Sequence, residues 1–332
     1  MLLPFILAVG LILFTLWFLN GGREVLMSGR RPPTALNSTQ FQSFQLQEKI
    51  AVSPDSYIFR FALQSPQHIL GLPIGQHIQL RGPVKNAEGK EESVQHAYTP
   101  ISSNEDVGHV DFLIKVYHKN VHPKFPLGGR LSQYLYHLPI GSMMEMRGPI
   151  GRFEYLGNGQ YTLKDPSSGK HTQHHTNVFT MVAGGTGITP LLQLIRAIMR
   201  SPEDPTRVFL VNANRTEADI LLREELDACA KDPRIHVWYT LSGDSPAGWK
   251  YSTGHITEAI LREHVPVLNE KNNDNKDNNE DNKEDKEEEK KKKKNNNGNV
   301  FAVMCGPPMM LRQAVKPNLE RLGYTAENMF EF

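Results

Sequence analysis

The chain has 332 residues, a formal net charge of +1 and 39% hydrophobic residues. This length suggests about two domains, each large enough to bury a core, and the balanced charge argues against nucleic acid as a partner. The 13 histidines and two cysteines form neither an HExxH nor a CxxC pattern, so we expect no metal site. Cys229 and Cys305 lie far apart, which favours a reducing compartment over a disulfide framework.

An apolar segment opens the chain. Leu2 to Leu19 carries no charge and, at ~1.5 Å per residue, is long enough to span a hydrocarbon core of ~30 Å. We expect a transmembrane anchor over residues 1–20 and a linker over residues 21–40. The arginines of the linker predict that the bulk of the chain lies on the cytosolic side of the membrane. An anchor of this kind fits the mitochondrial outer membrane and the endoplasmic reticulum equally. A cleaved signal peptide is the alternative, but a basic beginning and an A-x-A cleavage site are both missing.

Alternating apolar residues follow the linker. Tyr57, Phe59 and Phe61 alternate with Ile58, Arg60 and Ala62, and the run from Val110 to Val116 repeats the pattern. Such short runs between glycine-rich turns predict an antiparallel β-barrel or sandwich. We place this domain at residues 41–157 and an interdomain connection at residues 158–176.

The pattern changes at residue 177, where strand, turn and helix begin to alternate. Continuous apolar runs such as VFTMVAG are followed by helical periodicity, which predicts a doubly wound parallel sheet over residues 177–332. The stretch over residues 269–299 contains no hydrophobic residue, so it predicts a disordered charged insert. A regulatory or electrostatic role for that insert is the alternative.

Three stretches carry chemistry. Gly184, Gly185 and Gly187 stand between a predicted strand and a helix, where free backbone N–H groups favour a dinucleotide phosphate. A tight turn with positive φ is the structural alternative. Cys305 ends another apolar strand, either at the ligand crevice or as a buried inert thiol. The segment Lys124 to Leu135 predicts a helix start suited to a pyrophosphate, or an ordinary capping serine.

A family resemblance joins these stretches. HAYTPISS, HPKFPLGGRLSQYL, AGGTGITP and CGPPMM follow one another as they do in NADH–cytochrome b5 reductases, and SPQHILGLPIGQHI adds to the match. The chain resembles that family over about residues 41–332, outside the charged insert. The resemblance implies an FAD-binding β-barrel, a nicotinamide-binding α/β domain and the ferredoxin reductase-like fold.

The resemblance also assigns residues to FAD. It implies that Tyr98 packs on the flavin ring, that Thr99 reaches the ring edge, and that Lys115 and Tyr117 line the flavin. The pyrophosphate would be held by the start of the predicted helix, at Gly129, Arg130, Leu131 and Ser132.

The remaining assignments concern the nicotinamide. Thr186 and Thr189 would border flavin and nicotinamide, next to the glycines 184, 185 and 187. The approach of the nicotinamide would be set by Cys305, Gly306 and Pro307, with Phe332 closing near the ring. Lys115, Thr186 and Cys305 are the expected catalytic residues.

Two departures from the family pattern stand out. His96 replaces an arginine that would bind the FAD pyrophosphate bidentately, and an imidazole offers at most one weaker contact. Arg130 or Arg81 is a candidate substitute. Ser242 replaces an acidic residue typical of NADH-selective members, with Asp244 two residues on, so NADPH is a possible second donor.

The expected reaction is hydride transfer from NADH to FAD, followed by single-electron transfer to cytochrome b5 or a similar haem protein. The cations expected to steer that acceptor are Lys119, Lys124 and Arg130. We expect a monomer. Two alternatives remain: a flavin reductase with another acceptor, and a membrane-tethered scaffold that has lost FAD through His96.

Overall fold

The computed structural model describes residues 32–86, 88–121, 126–268 and 299–332. The predicted anchor, most of the charged insert and Lys124 lie outside these residues. The described chain forms a six-stranded antiparallel sheet, a small three-stranded sheet and a six-stranded parallel sheet.

The first six strands form the antiparallel sheet, and one helix lies between the fifth and sixth strands in the chain. These elements are β1 Gln42–Ser53, β2 Ser56–Ala62, β3 His77–Lys85, β4 Glu91–Tyr98, β5 His109–Lys115, α1 Arg130–His137 and β6 Met143–Ile150. The strand order is β4-β3-β6-β1-β2-β5. Just beyond β4, the Ile101 N–H donates to the Asp111 carbonyl oxygen of β5 at 2.8 Å, so the two edges of the sheet approach each other.

Every second side chain along the strands of this sheet points into its apolar core. Phe59 and Phe61 of β2 are buried, as are alternate residues of β5 beginning at Val110. They join buried side chains of β1, β3 and β6 in one core. The predicted antiparallel domain is therefore confirmed, because successive side chains of a strand point to opposite faces and the apolar set points inward.

A three-stranded antiparallel sheet connects the two large ones. It comprises β7 Phe153–Gly157, β8 Gln160–Lys164 and β9 His171–His175. The strands β8 and β9 lie in the region predicted as an interdomain connection, whereas β7 belongs to the end of the region predicted as the first domain. Phe153, Tyr155 and Tyr161 of this sheet pack in the same core as Phe179 of the following strand. The connection is thus a packed element joined to the second domain.

The second domain is the predicted doubly wound parallel sheet. Its strands are β10 Val178–Gly184, β11 Arg207–Asn214, β12 Ile235–Leu241, β13 Ser252–Thr253, β14 Val300–Cys305 and β15 Met329–Glu331. Its helices are α2 Ile188–Arg200, α3 Arg223–Cys229, α4 Glu258–His264, α5 Pro308–Met310 and α6 Lys316–Arg321, with a π-helical turn Leu311–Val315 between the last two.

The strand order β13-β12-β11-β10-β14-β15 runs outward from β10 in both directions. The strands after β10 are therefore added first on one side of it and then, from β14, on the other, and the order of the strands reverses between β10 and β14. Open α/β sheets bind ligands at such a switch point, beyond the carboxyl ends of the strands. The turns after Gly184 and Cys305 lie at this point.

The two large domains contact each other through polar and apolar groups. The Gly75 N–H donates to Gln193 Oε1 of α2 at 2.6 Å, and the Arg196 guanidinium of α2 donates to the Ile101 carbonyl oxygen. Leu113 of β5 lies in the core of the second domain. These contacts place the end of β5 beside the turn that follows β10.

The predicted fold class is wrong in one part. It included an N-terminal transmembrane helix, whereas no helix within the described residues is long and apolar enough to cross a membrane. The segment 1–20 itself lies outside those residues. The described fold is an antiparallel six-stranded domain followed by a parallel six-stranded domain.

Candidate functional site

The three glycines after β10 have different structural roles. Gly185 has a φ of 54° and nothing within 4 Å of a built Cβ, so it is the residue for which a positive φ is required. A Cβ on Gly187 would overlap the carbonyl oxygen of Cys305, and one on Gly184 would lie 2.8 Å from the Met310 sulfur. The glycines thus let the β10 turn pack against the β14 turn while Gly185 faces open space.

Cys305 ends β14 directly beside β10, paired with Ala183. Burial raises the pKa of its thiol to about 11, and the Glu331 carboxylate acts in the same direction. The thiol is therefore neutral near pH 7 and is a poor nucleophile. Gly306 and Pro307 follow as the turn into α5, with Pro307 at the N-cap.

Met310 is a residue that sequence reasoning missed. A Cβ on Gly184 or Gly306 would come within 2.8 Å of its side chain, so its thioether covers both glycines. Methionine is common where an irregular gap must be filled, and the sequence alone gave no signal for this contact.

Thr186, Thr189 and Phe332 surround the same two turns. Thr186 forms the tip of the β10 turn, and the Thr189 hydroxyl donates to its carbonyl oxygen at 3.2 Å. The Phe332 N–H donates to the Met304 carbonyl oxygen at 3.0 Å, one residue before Cys305. Its ring lies 5.5 Å from that of Phe153, centroid to centroid. The sequence-predicted nicotinamide residues therefore lie together.

Three predicted FAD residues lie at the end of β4 in the first domain: His96 and Tyr98 in the strand and Thr99 directly after it. His96 is exposed on β4 opposite Leu80, and Tyr98 is half-buried opposite Ile78. Burial raises the pKa of the Tyr98 phenol, and Tyr117 contributes in the same direction. Tyr98 thus presents a neutral aromatic ring at the edge of the barrel core.

The start of α1 differs from an ordinary capped helix. Gly129 is the N-cap and makes no side-chain cap, while the Ser132 hydroxyl accepts from the Tyr117 N–H at 3.2 Å and donates to the Gly129 carbonyl oxygen at 3.1 Å. The capping-serine alternative is therefore wrong. Gly128, with a φ of 65°, brings this turn against the Tyr117 carbonyl oxygen. Helix geometry leaves the N–H groups of the first turn free for an anion.

The two candidate substitutes for the missing arginine both have carboxylate partners. Arg81 makes a bidentate pair with Glu145 at 2.8 and 2.9 Å. Arg130 makes a single contact with Glu92 of β4, at 2.8 Å. Because Arg81 is held by two contacts and also lies over the Phe41 ring, Arg130 is the more available cation, and it stands at the helix start itself.

Lys115 and Tyr117 lie at the end of β5, on the barrel side of the cleft, which is the region where the end of β5 meets the turns after β10 and β14. Tyr117 is 53% exposed, which leaves its ring free to contact a flat ligand. The Lys115 ammonium lies 2.9 Å from Asp55 and 3.2 Å from Asp219 of the second domain. Sequence reasoning predicted neither carboxylate. Asp219 is separated from Lys115 by 104 positions, and no local pattern links the lysine to either aspartate.

Several features fit FAD and a dinucleotide. Gly128 and Gly129 bring the segment after β5 close to a helix start with free N–H groups, where a Cβ would block the approach. Gly185 leaves open space beyond β10. Two tyrosines, the half-buried Tyr98 and the exposed Tyr117, are close enough that Tyr117 affects the pKa of Tyr98. The donors and the aromatic rings match a ligand with phosphates and a planar ring.

Comparisons with known proteins agree with this geometry. Residues 43–155 match the oxidoreductase FAD-binding domain, and residues 181–316 match the oxidoreductase NAD-binding domain. The chain is 39% identical to NADH-cytochrome b5 reductase 1 of Bos taurus, over 99% of this chain and 98% of the relative. It is 42% identical to nitrate reductase [NADH] 1 of Phaseolus vulgaris over 89% of this chain, which spans 29% of that protein.

One solved structure is also similar along most of the chain. The cytochrome b5 reductase domain of Ulva prolifera nitrate reductase aligns with a TM-score of 0.76 and 38% identity, covering 90% of this chain and 99% of that domain. The chain thus shares its fold and the order of its two domains with a cytochrome b5 reductase domain.

Proposed function

The chain belongs to the NADH–cytochrome b5 reductase family, and we propose that it passes electrons from NADH through FAD to a cytochrome b5. FAD and NADH are its cofactors. The observation that carries the proposal is the meeting of three parts at one cleft: the β10 turn, the β14 turn and the end of β5.

FAD would be held on the barrel side. The first-turn N–H groups at Arg130, Leu131 and Ser132 would bind the pyrophosphate, with the Arg130 guanidinium beside them. Tyr98 and Tyr117 would contact the ring system, and Thr99 would donate to its edge. His96 would contribute at most a single hydrogen bond to a phosphate.

NADH would be held on the sheet side. Gly184, Gly185 and Gly187 would let the backbone approach its phosphates, and Thr186 would border the nicotinamide. The turn Cys305, Gly306 and Pro307 would limit the position of the ring through shape, since the Cys305 thiol is neutral. Phe332 would close the same side.

The protein contributes position and charge to the reaction. A bound FAD would supply the capacity to take a hydride from NADH and to release electrons singly. The chain aligns the two planar rings, excludes water between them and places the Lys115 ammonium beside the cleft. Two of its N–H bonds are directed to Asp55 and Asp219, which leaves one to donate to a bound cofactor. In this proposal Cys305 acts by shape and Thr186 by contact, and no side chain transfers a proton.

A haem protein such as cytochrome b5 is the proposed acceptor, supported by the relative that carries that name. Lys119 and Arg130, near the exposed Tyr117, would steer an acidic partner. A different acceptor is the second candidate, because the chain is also similar to part of a nitrate reductase.

The protein is proposed to act as a monomer, because one chain supplies the residues proposed for both cofactors. The predicted domain limits remain predictions. The predicted membrane location and cytosolic orientation also remain predictions from the sequence, since residues 1–31 lie outside the described part of the chain.

The purified protein tests the proposal directly. We expect a yellow protein whose flavin absorbance bleaches on addition of NADH and recovers when oxidised cytochrome b5 is added. Reduction of cytochrome b5 should slow as ionic strength rises if charge steers docking. A colourless protein that does not take up added FAD would contradict the proposal. Flavin that NADH reduces but cytochrome b5 cannot reoxidise would favour another acceptor.

A further inference from the structure

Lys115 is held by one carboxylate from each domain. Its Nζ lies 2.9 Å from Asp55 Oδ2, in the turn between β1 and β2, and 3.2 Å from Asp219 Oδ1, in the turn between β11 and α3. The side chains are 25%, 34% and 27% exposed, respectively, so the group is partly shielded from water. The ammonium therefore joins the barrel to the parallel sheet.

Asp219 is itself fixed within the second domain. Its Oδ2 accepts from the Thr216 N–H at 3.0 Å and from the Thr216 hydroxyl at 2.7 Å, forming a capping box around a short helical turn. Its Oδ1 is directed to Lys115. With both oxygens engaged, the carboxylate has a set direction and loses little further entropy when it binds the lysine.

The location distinguishes this contact from an ordinary surface ion pair. Lys115 is the last residue of β5, and β5 packs beside the Gly185–Gly187 turn. Another interdomain pair, Arg200 with Glu105, has the same kind of geometry at 2.8 Å, but its carboxylate is 71% exposed. Exposed pairs of that kind contribute little to stability.

We propose that Asp219 is an interdomain positioning residue, which holds the Lys115 ammonium at the cofactor cleft and couples its position to the closed arrangement of the two domains. The inference rests on the proposed function for the role of Lys115. Asp55 supplies the second hydrogen bond from within the barrel. The lysine is then held from both sides only when the second domain is docked.

The matched variants are Asp219→Asn and Glu105→Gln. Asparagine retains an oxygen for Thr216 but removes the charge that faces Lys115, whereas Glu105→Gln breaks an interdomain pair away from the lysine. In rapid mixing with saturating NADH, we expect flavin reduction to slow about fivefold in Asp219→Asn and less than twofold in Glu105→Gln. In a Lys115→Met background, Asp219→Asn should add less than a further twofold change, because it acts through the lysine. Equal rates in Asp219→Asn and the wild type, or full additivity with Lys115→Met, would overturn the inference.

A second readout needs no bound cofactor. Lys115→Met should increase hydrogen exchange at residues 216–220, in the other domain, because that turn loses its partner. Asp55→Asn, which leaves the Asp219 contact intact, should not. Unchanged exchange in Lys115→Met would contradict the coupling even if the flavin chemistry is as proposed. Conversely, a wild-type protein that binds no FAD would contradict the proposed function and leave this exchange result interpretable.

Discussion

Gly187 lies directly against Cys305, so that a side chain on the glycine would overlap the cysteine carbonyl oxygen. The φ of Gly187 is −62°, so space and not backbone conformation requires glycine there. We expect Gly187→Ala to separate the two turns and to destabilise the protein by ~1–3 kcal/mol. Thermal unfolding and the KM for NADH would both report the change.

Gly185→Asn is the control for that substitution. Gly185 has a positive φ but open space, and asparagine tolerates this region better than other residues. Its effect on the melting temperature should be smaller than that of Gly187→Ala. Equal destabilisation by both changes would mean that the contact with Cys305 is not the constraint.

The neutral Cys305 thiol predicts slow alkylation. With a pKa of about 11, its thiolate fraction at pH 8 is about 200-fold below that of an ordinary thiol with a pKa of ~8.5. Because the folded-state pKa is raised, the thiol favours the folded state fully below pH ~8.5 and loses that contribution as the pH rises through about 11. Peptide mapping after iodoacetamide treatment should show little label on Cys305 until unfolding. Rapid labelling of the folded protein at pH 8 would contradict this.

Cys305→Ser tests shape against nucleophilic chemistry. If the residue limits the position of the nicotinamide, the serine variant keeps its flavin and reduces it about tenfold more slowly at saturating NADH. Flavin content by absorbance and reduction by rapid mixing separate these effects. Complete loss of bound flavin would show that the residue has another role.

His96→Arg should strengthen FAD binding. A guanidinium can make the charge-assisted bond that an imidazole lacks, a gain of ~1.5–3 kcal/mol or about tenfold or more in affinity. Titration of FAD into flavin-free protein measures the dissociation constant. His171→Arg, an exposed histidine on β9, adds the same charge on another sheet and should leave it unchanged. No gain in His96→Arg would indicate that the pyrophosphate does not reach β4.

Ser242→Asp should lower the use of NADPH. Ser242 directly follows β12 and is exposed, and its neighbour Gly243 donates to the carbonyl oxygen of the exposed Arg215 at 2.8 Å. A carboxylate there would bind ribose hydroxyls and repel a 2′-phosphate. We expect kcat/KM for NADPH to fall about tenfold or more with little change for NADH. Ser245→Asp is the control, and an equal fall in that variant would assign the effect to general charge.

Most of the fold could be predicted because local patterns determined it. Alternation around Phe59 and Phe61 specified a strand face, and continuous apolar runs such as Val178–Gly184 specified buried parallel strands. Collinear motifs then placed the β10 and β14 turns at one cleft. Their roles toward FAD and NADH remain predictions.

The contacts between distant parts of the chain were not predictable in the same way. Lys115 meets Asp219 only once both domains are folded, and Met310 covers Gly184 only once the parallel sheet has assembled, so no sequence spacing indicates either contact. The transmembrane helix was predicted from hydrophobicity alone, and the described fold contains no such span.

The aromatic side chain of Phe153 has a practical consequence for dissecting the two halves of the protein. Its ring stacks at 5.3 Å on Tyr161 and lies 6.2 Å from Phe179, although its strand directly follows the barrel. Severing the polypeptide after Gly157 would remove the Phe153 and Tyr155 rings from the partner half and leave part of its core unfilled. A separately produced nucleotide-binding half should therefore begin ahead of Phe153, near Gly151, if it is to remain soluble on its own.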